Sequence, residues 1–164
     1  MDELPGLWRT EIWHPLSVHF PITLLLIAAF FKLIALFSKK DLWHFGGSIF
    51  LLAGVLSAWI SIYTGNLADG AVSRTLCDPT VLKDHQNAAY IMTGIFSGAA
   101  IADTLLWTSF LRVKQIFFMK IIVLLMFAGS AALIYTGHLG ITLVYQQGAG
   151  VYKPSADCSE FNED

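Results

Sequence analysis

Four apolar stretches of about 20 residues each constrain this chain more than any other feature of its sequence. They lie at residues 16–37, 45–64, 87–108 and 116–137. Because a helix rises about 1.5 Å per residue, each stretch is long enough to cross the ~30 Å hydrocarbon core of a bilayer. A helix also satisfies its backbone hydrogen bonds internally, which lipid requires. The sequence therefore predicts an all-α membrane protein, a bundle of four transmembrane helices.

Composition supports a single membrane domain over residues 1–164. Hydrophobic residues make up 55% of the chain and charged residues only 13%, where soluble proteins carry about 25% charged residues. An outer loop over 65–86 and an outer C-terminal tail over 140–164 are too short to form a second globular domain. No basic patch of the kind that binds nucleic acid is present in the sequence. The expected surroundings are membrane lipid.

The distribution of Lys and Arg predicts the orientation of the bundle. One side carries a formal charge of +4, and its residues are Lys32, Lys39, Lys40, Asp41, Asp103, Arg112, Lys114 and Lys120. The other side carries −6. Because Lys and Arg accumulate on the cytoplasmic side, both termini are expected outside, an N-out/C-out topology. We expect a multi-pass protein of the bacterial inner (cytoplasmic) membrane.

A short segment occurs twice and indicates an internal repeat. Residues 62–67 and 134–139 share five of six residues at a separation of 72, and His14 precedes His85 by 71 residues. The pattern predicts two repeated hairpins related by a pseudo-twofold axis along the membrane normal. Gly65 and Gly137, each at the end of an apolar run, are expected to be helix C-terminal caps.

Four of the five histidines fall at the predicted outer end of the bundle: His14, His19, His85 and His138. Ionisable side chains at membrane depth are costly unless they find a partner, so the group is a candidate site. Imidazole is a ligand for haem iron, copper and zinc. The symmetry-matched pair, His14 and His85, is expected to face each other across a planar ring. His19 is expected either to bind a second ring with His138 or to replace His14.

Two other sets of residues carry expectations of their own. Lys32, Asp103 and Lys120 lie near the predicted cytoplasmic end, where an ion pair or snorkelling side chains are the simplest interpretation and a proton path for quinone chemistry is the alternative. Cys77 and Cys158 both fall on the predicted outer, oxidising side. We expect a disulfide between them, the alternative being two free or metal-facing thiols.

Two motifs resemble a known family. The segment HPLSVHFPI at residues 14–22 resembles the HPxxVHFPI opening of DUF2231, a family of bacterial four-helix membrane domains. Residues 136–151 are similar to its TGxxGGxLVYxxGxGV close, although Ile141 and Thr142 stand where the family has Gly and usually Glu. The family's third-helix histidine matches His85. Relatives fused to Rieske or cytochrome c domains imply outward-facing electron transfer.

The combined reading is a cytochrome b-like membrane subunit that transfers electrons. It predicts one or two b haems near the outer leaflet, with bis-histidine ligation by His14, His19, His85 and His138. An electron carrier or a subunit of a redox complex is expected rather than a stand-alone enzyme. The expected partners are an outer-face cytochrome c or Rieske protein or a larger membrane complex, with quinone as a further candidate. The alternatives are an outward-facing copper or zinc site and a non-redox accessory subunit of a larger membrane complex.

Overall fold

The structure, a computed structural model, describes residues 9–38, 40–107 and 115–151. Its helices are α1 (Thr10–Ser17), α2 (His19–Ala35), α3 (Asp41–Val72), α4 (Pro79–Trp107) and α5 (Gln115–Gln147), with a short 3-10 helix at Ser73–Thr75. Four helical segments are long and apolar enough to cross a membrane: Thr10–Ala35, Asp41–Thr75, Pro79–Trp107 and Gln115–Gln147. The prediction of an all-α membrane protein with four transmembrane helices is confirmed.

The first transmembrane segment is divided at Val18 into α1 and α2. Pro21 has no N–H to donate to the carbonyl of Ser17, so one helical hydrogen bond is missing at this point. The neighbouring bonds from Val18 N to His14 O and from Ile22 N to Val18 O are kept, at 3.2 and 3.3 Å. The break is therefore local, and α1 continues roughly along the direction of α2 to carry His14.

The helices pack as two hairpins. Helix α2 packs chiefly on α3, and α4 packs chiefly on α5. The hairpins meet where α3 contacts α4 and where α2 contacts α5, which leaves α2 and α4 diagonally opposed. Leu25, Leu51, Phe96 and Met126 are fully buried at the centre, one from each long helix. Large apolar side chains are exposed along every long helix, as contact with lipid requires.

The buried positions repeat between the hairpins with two different separations. Pairs 71 residues apart relate α2 to α4: Leu25 and Phe96, Ala28 and Ala99, Lys32 and Asp103. Pairs 75 residues apart relate α3 to α5: Leu51 and Met126, Gly54 and Gly129, Ser61 and Thr136. The second hairpin therefore holds four more residues, about one helical turn, between its two helices. The separation of 72 suggested by the repeated segment is three residues short of the spatial match.

Helices α3 and α5 extend well beyond the apolar stretches. The prediction that Gly65 and Gly137 cap helices is wrong, because both lie inside helices that end at Val72 and Gln147. Helix α4 likewise begins at Pro79, so the connection between α3 and α4 is much shorter than the predicted loop over 65–86. The apolar stretch marks only the part that crosses hydrocarbon, and the helix continues into the interface.

The C-terminal end of α5 has a glycine cap of its own. Gly148 adopts a φ of 66°, and Ala149 N donates to Leu143 O at 3.0 Å, which satisfies a carbonyl at the end of the helix. The first eight residues of the predicted tail, 140–147, are therefore helical. Cys77 is exposed in the connection before α4. Cys158 lies outside the described residues, so the disulfide stays a prediction.

Candidate functional site

Two imidazoles meet across the bundle axis. The ring centres of His14 on α1 and His85 on α4 lie 6.0 Å apart, and the ring planes are inclined by 80°. The two residues are 71 positions apart, so they are equivalent in the two hairpins. We call this end of the bundle the histidine end and the opposite end the Lys32 end.

Both imidazoles are oriented by the same kind of hydrogen bond. His14 Nδ1 lies 2.9 Å from the backbone oxygen of Ser61, and His85 Nδ1 lies 3.1 Å from that of Thr136. Because a carbonyl oxygen can only accept, each Nδ1 carries the hydrogen. The Nε2 lone pair of each neutral ring is then free to bind a metal. A metal-bound histidine commonly donates its other N–H in this way.

Glycines make room for the rings against α3 and α5. A Cβ added at Gly65 would lie 3.1 Å from Cε1 and Nδ1 of His14, and one added at Gly140 would lie 3.3 Å from Cε1 of His85. Both glycines follow their carbonyl residue, Ser61 or Thr136, by four positions, which places them one turn further along the same helix face. Gly137, which the repeated segment matched to Gly65, has nothing within 4 Å of an added Cβ.

A cavity of about 710 Å³ surrounds the pair. Its volume falls in the range of about 300–1,000 Å³ that is usual for small-molecule and cofactor sites. Most of its wall is apolar and much of it is small, including Ala58, Ala68, Ala89, Met92, Leu133 and Gly137. Since a cavity at the Lys32 end measures only about 10 Å³, the hairpins separate mainly at the histidine end.

The other two histidines of the predicted group occupy different places. His19 is exposed and lines the same cavity; it lies five residues, about 140° around a helix, from His14. His138 is exposed and is not among the residues that line the cavity. It follows buried Thr136 by two residues, about 200° around α5, and so points away from the pair. Among the residues that the structure describes, no three His, Cys, Asp or Glu side chains form a group that could hold a metal ion.

The start of α4, which carries His85, is fixed by Asp78. Asp78 Oδ1 accepts hydrogen bonds from the N–H and the hydroxyl of Thr80, at 2.9 and 2.6 Å. These two bonds, the hydroxyl's first, hold the pKa of the Asp78 carboxyl below its ordinary value. Asp78 N also donates to Gln147 Oε1 at 3.2 Å, which links the start of α4 to the end of α5.

Comparison with known proteins identifies the family. A family model described as a predicted membrane protein, DUF2231, matches residues 12–153. The chain belongs to the DUF2231 family. The matched range includes both histidines of the pair and both residues whose carbonyls orient them. No curated protein and no solved structure matches this DUF2231 protein.

Four residues of this DUF2231 site escaped the sequence analysis: Ser61, Gly65 as a packing residue, Thr136 and Gly140. The usable signal was a small hydroxyl residue four positions before a glycine in each of α3 and α5, at a separation of 75. The stronger identity at a separation of 72 concealed it. Aligning the buried positions of the helices, rather than the identical letters, reveals the correct match.

Proposed function

We propose that this DUF2231 protein is a haem-binding electron-transfer subunit of the membrane, with His14 and His85 as the axial ligands. The observation that carries the proposal is the 6.0 Å between the two ring centres. An imidazole nitrogen lies about 1.2 Å from its ring centre and forms metal bonds of about 2.0–2.1 Å, so two imidazoles on opposite sides of one metal have centres about 6.4 Å apart. The pair is within a few tenths of an ångström of that spacing.

The number of ligands also favours haem. Bis-histidine haem needs two protein ligands, because the macrocycle supplies the other four nitrogens. Zinc ordinarily takes three or four protein ligands. The structure brings together two free Nε2 atoms in an apolar cavity with small residues along its wall. These features match the needs of a flat, largely apolar cofactor.

Haem bound here would supply a one-electron couple near one surface of the membrane. The carbonyls of Ser61 and Thr136 hold the Nδ1 protons, fix the ring orientations and raise the basicity of the free nitrogens. The apolar wall limits access of water, which disfavours the more highly charged ferric state and raises the reduction potential. Under the predicted orientation the site faces outward, toward a soluble cytochrome c or Rieske protein or toward a larger complex.

Optical spectra of the purified protein test the proposal directly. We expect a sharp α-band on reduction with dithionite and one iron per chain. His14→Ala and His85→Ala should each remove most of the band, because each deletes one axial ligand. His138→Ala is the matched control, since its exposed ring lies away from the cavity, and it should keep the full band.

Three other outcomes would contradict the proposal. Copper or zinc in place of iron would favour the metal-handling alternative. A colourless, metal-free protein after expression with excess haem would leave the two imidazoles as hydrogen-bonding groups of an accessory subunit. Equal loss of the band in the His85→Ala and His138→Ala variants would show that the pair is not the ligand set.

A further inference from the structure

At the Lys32 end a second pair of equivalent residues meets across the bundle. Lys32 on α2 and Asp103 on α4 are 71 positions apart, and Lys32 Nζ lies 2.5 Å from Asp103 Oδ1. Both residues are only 3% exposed. The ion pair expected from the sequence is therefore present, whereas Lys120 is exposed. Stability alone does not account for the pair, since well-packed apolar residues commonly replace a buried ion pair at no cost.

The hydrogen bonds of this cluster fix where its protons lie. Lys32 Nζ contacts three acceptors: Asp103 Oδ1, Ser48 Oγ at 2.7 Å and His44 Nδ1 at 3.1 Å. The Ser48 hydroxyl donates to the His44 carbonyl at 3.0 Å, which leaves its oxygen to accept from Lys32. An ammonium group can only donate, so Nδ1 accepts and the neutral His44 ring has its hydrogen on Nε2. The cluster holds one cation and one anion and has no net charge.

His44 connects the buried pair to the surface. It is half-buried in the first turn of α3, three residues after exposed Asp41. A cavity of about 10 Å³, near the minimum for one water molecule, lies between Lys32, His44 and Asp103. Its remaining wall comes from α5 and is apolar: Met119, Ile122 and Val123. In the described part of the chain, the titratable groups that line this cavity are thus one each from α2, α3 and α4.

We propose that Lys32, His44 and Asp103 form a proton-binding site that takes up one proton from solvent at the Lys32 end. The proton binds His44 and makes it an imidazolium. Lys32 passes a proton to Asp103, which becomes a neutral carboxylic acid, and the resulting amine takes the proton from His44 Nδ1. Lys32 is again an ammonium and His44 is again neutral. One proton has been gained, it resides on Asp103, and both transfers within the cluster follow contacts present in the structure.

The site is distinct from the haem site and its test does not depend on haem. Lys32 follows His14 by 18 residues, which is about 27 Å of helix. The full-length protein in proton-tight lipid vesicles, followed by infrared difference spectroscopy during pH steps, reports protonated carboxyl groups. We expect a carboxylic acid band to appear on acidification, with uptake of one proton per chain. Asp103→Asn should abolish both, whereas Asp84→Asn, at an exposed aspartate of the histidine end, should keep both.

His44→Gln separates the route from the binding site. A glutamine can still accept a hydrogen bond from Lys32 but cannot carry a proton, so the final band should be unchanged. Its appearance after a pH jump should be at least tenfold slower than in the natural protein. An equally fast appearance would overturn the role of His44.

The unsubstituted protein provides the decisive result even where a variant fails to fold. If no carboxylic acid band beyond those of exposed residues appears at any pH at which the protein stays folded, the pair is a permanent structural link and the proposal is wrong. The double variant Lys32→Met with Asp103→Leu tests the same point through folding. It should fold, because an apolar pair can replace the ion pair, and it should take up no proton.

Discussion

At the residue scale, Gly65 and Gly140 set how closely the imidazoles approach α3 and α5. We expect Gly65→Ala to displace the His14 ring, because the new Cβ would lie 3.1 Å from two ring atoms. The displacement lengthens the bond to the Ser61 carbonyl, and loss of such an outer hydrogen bond weakens metal binding about tenfold or more. The measurement is the transfer of haem from the protein to excess apomyoglobin.

The same experiment has a graded series and a control. Gly140→Ala should have a smaller effect than Gly65→Ala, since its Cβ would lie 3.3 Å from one atom of His85. Gly137→Ala should leave haem retention unchanged, because nothing lies within 4 Å of the added methyl group. Equal effects at positions 65 and 137 would show that general helix changes, not the ring contacts, are being measured.

Asp78 gives a prediction that depends on pH. Its depressed pKa means that the ionised carboxylate is stabilised by the Thr80 hydrogen bonds in the folded protein. That contribution is present above the pKa of an unfolded aspartate, about 3.9, and is lost as the pH falls through the lower folded pKa. The difference in Tm between the natural protein and Asp78→Ala should therefore shrink on acidification. Asp78→Asn, which also caps helices but does not titrate, should show a difference from Asp78→Ala that is constant with pH.

At the element scale, each hairpin depends on one close helix contact. A Cβ added at Gly54 would lie 2.6 Å from Leu25 Cδ2, and one added at Gly129 would lie 2.8 Å from Phe96 Cε2. The glycines are equivalent at a separation of 75, and their partners are equivalent at 71. Close approach of the backbones therefore recurs in both hairpins, as is typical of helix packing in lipid.

We expect Gly129→Ala to destabilise the protein by about 1–3 kcal/mol, the usual cost of overpacking a core. Phe96 is fully buried and its aromatic ring is rigid, so α4 and α5 must move apart. Thermal unfolding in detergent is the measurement. Gly98→Ala, with open space around the added methyl group, should be neutral or slightly stabilising. Equal unfolding temperatures for the two variants would contradict the prediction.

The sequence predicts the helices better than it predicts their ends or their register. Apolar length is sufficient to identify four transmembrane helices, because the bilayer sets that length. It does not register the interfacial turns up to Val72 and Gln147, whose residues are too polar for hydrocarbon yet remain helical. The pairing of His14 with His85 follows from their separation of 71 residues. The role of Gly140 does not, because the extra turn in the second hairpin shifts α5 relative to the repeated letters.

At the scale of the whole molecule, the charge asymmetry predicts that the histidine end faces outward. Cys77 is an exposed native probe of that end. In a Cys158→Ser variant, a thiol reagent that cannot cross membranes should label Cys77 on intact cells. A chain without native cysteines that carries Lys40→Cys should react only after the cells are permeabilised. The opposite labelling pattern would place the histidine pair on the cytoplasmic side.

The buried ion pair also determines which hairpin recognises which. Two copies of the first hairpin would set Lys32 against Lys32, and two copies of the second would set Asp103 against Asp103, since these positions are equivalent. Buried like charges cost several kcal/mol, so each hairpin should reject its own copy and select the other. Chains separated within the connection between α3 and α4 and expressed together should assemble as a mixed pair that purifies through a tag on either one. Replacing Lys32 and Asp103 by apolar residues should remove that selectivity and allow each hairpin to associate with itself.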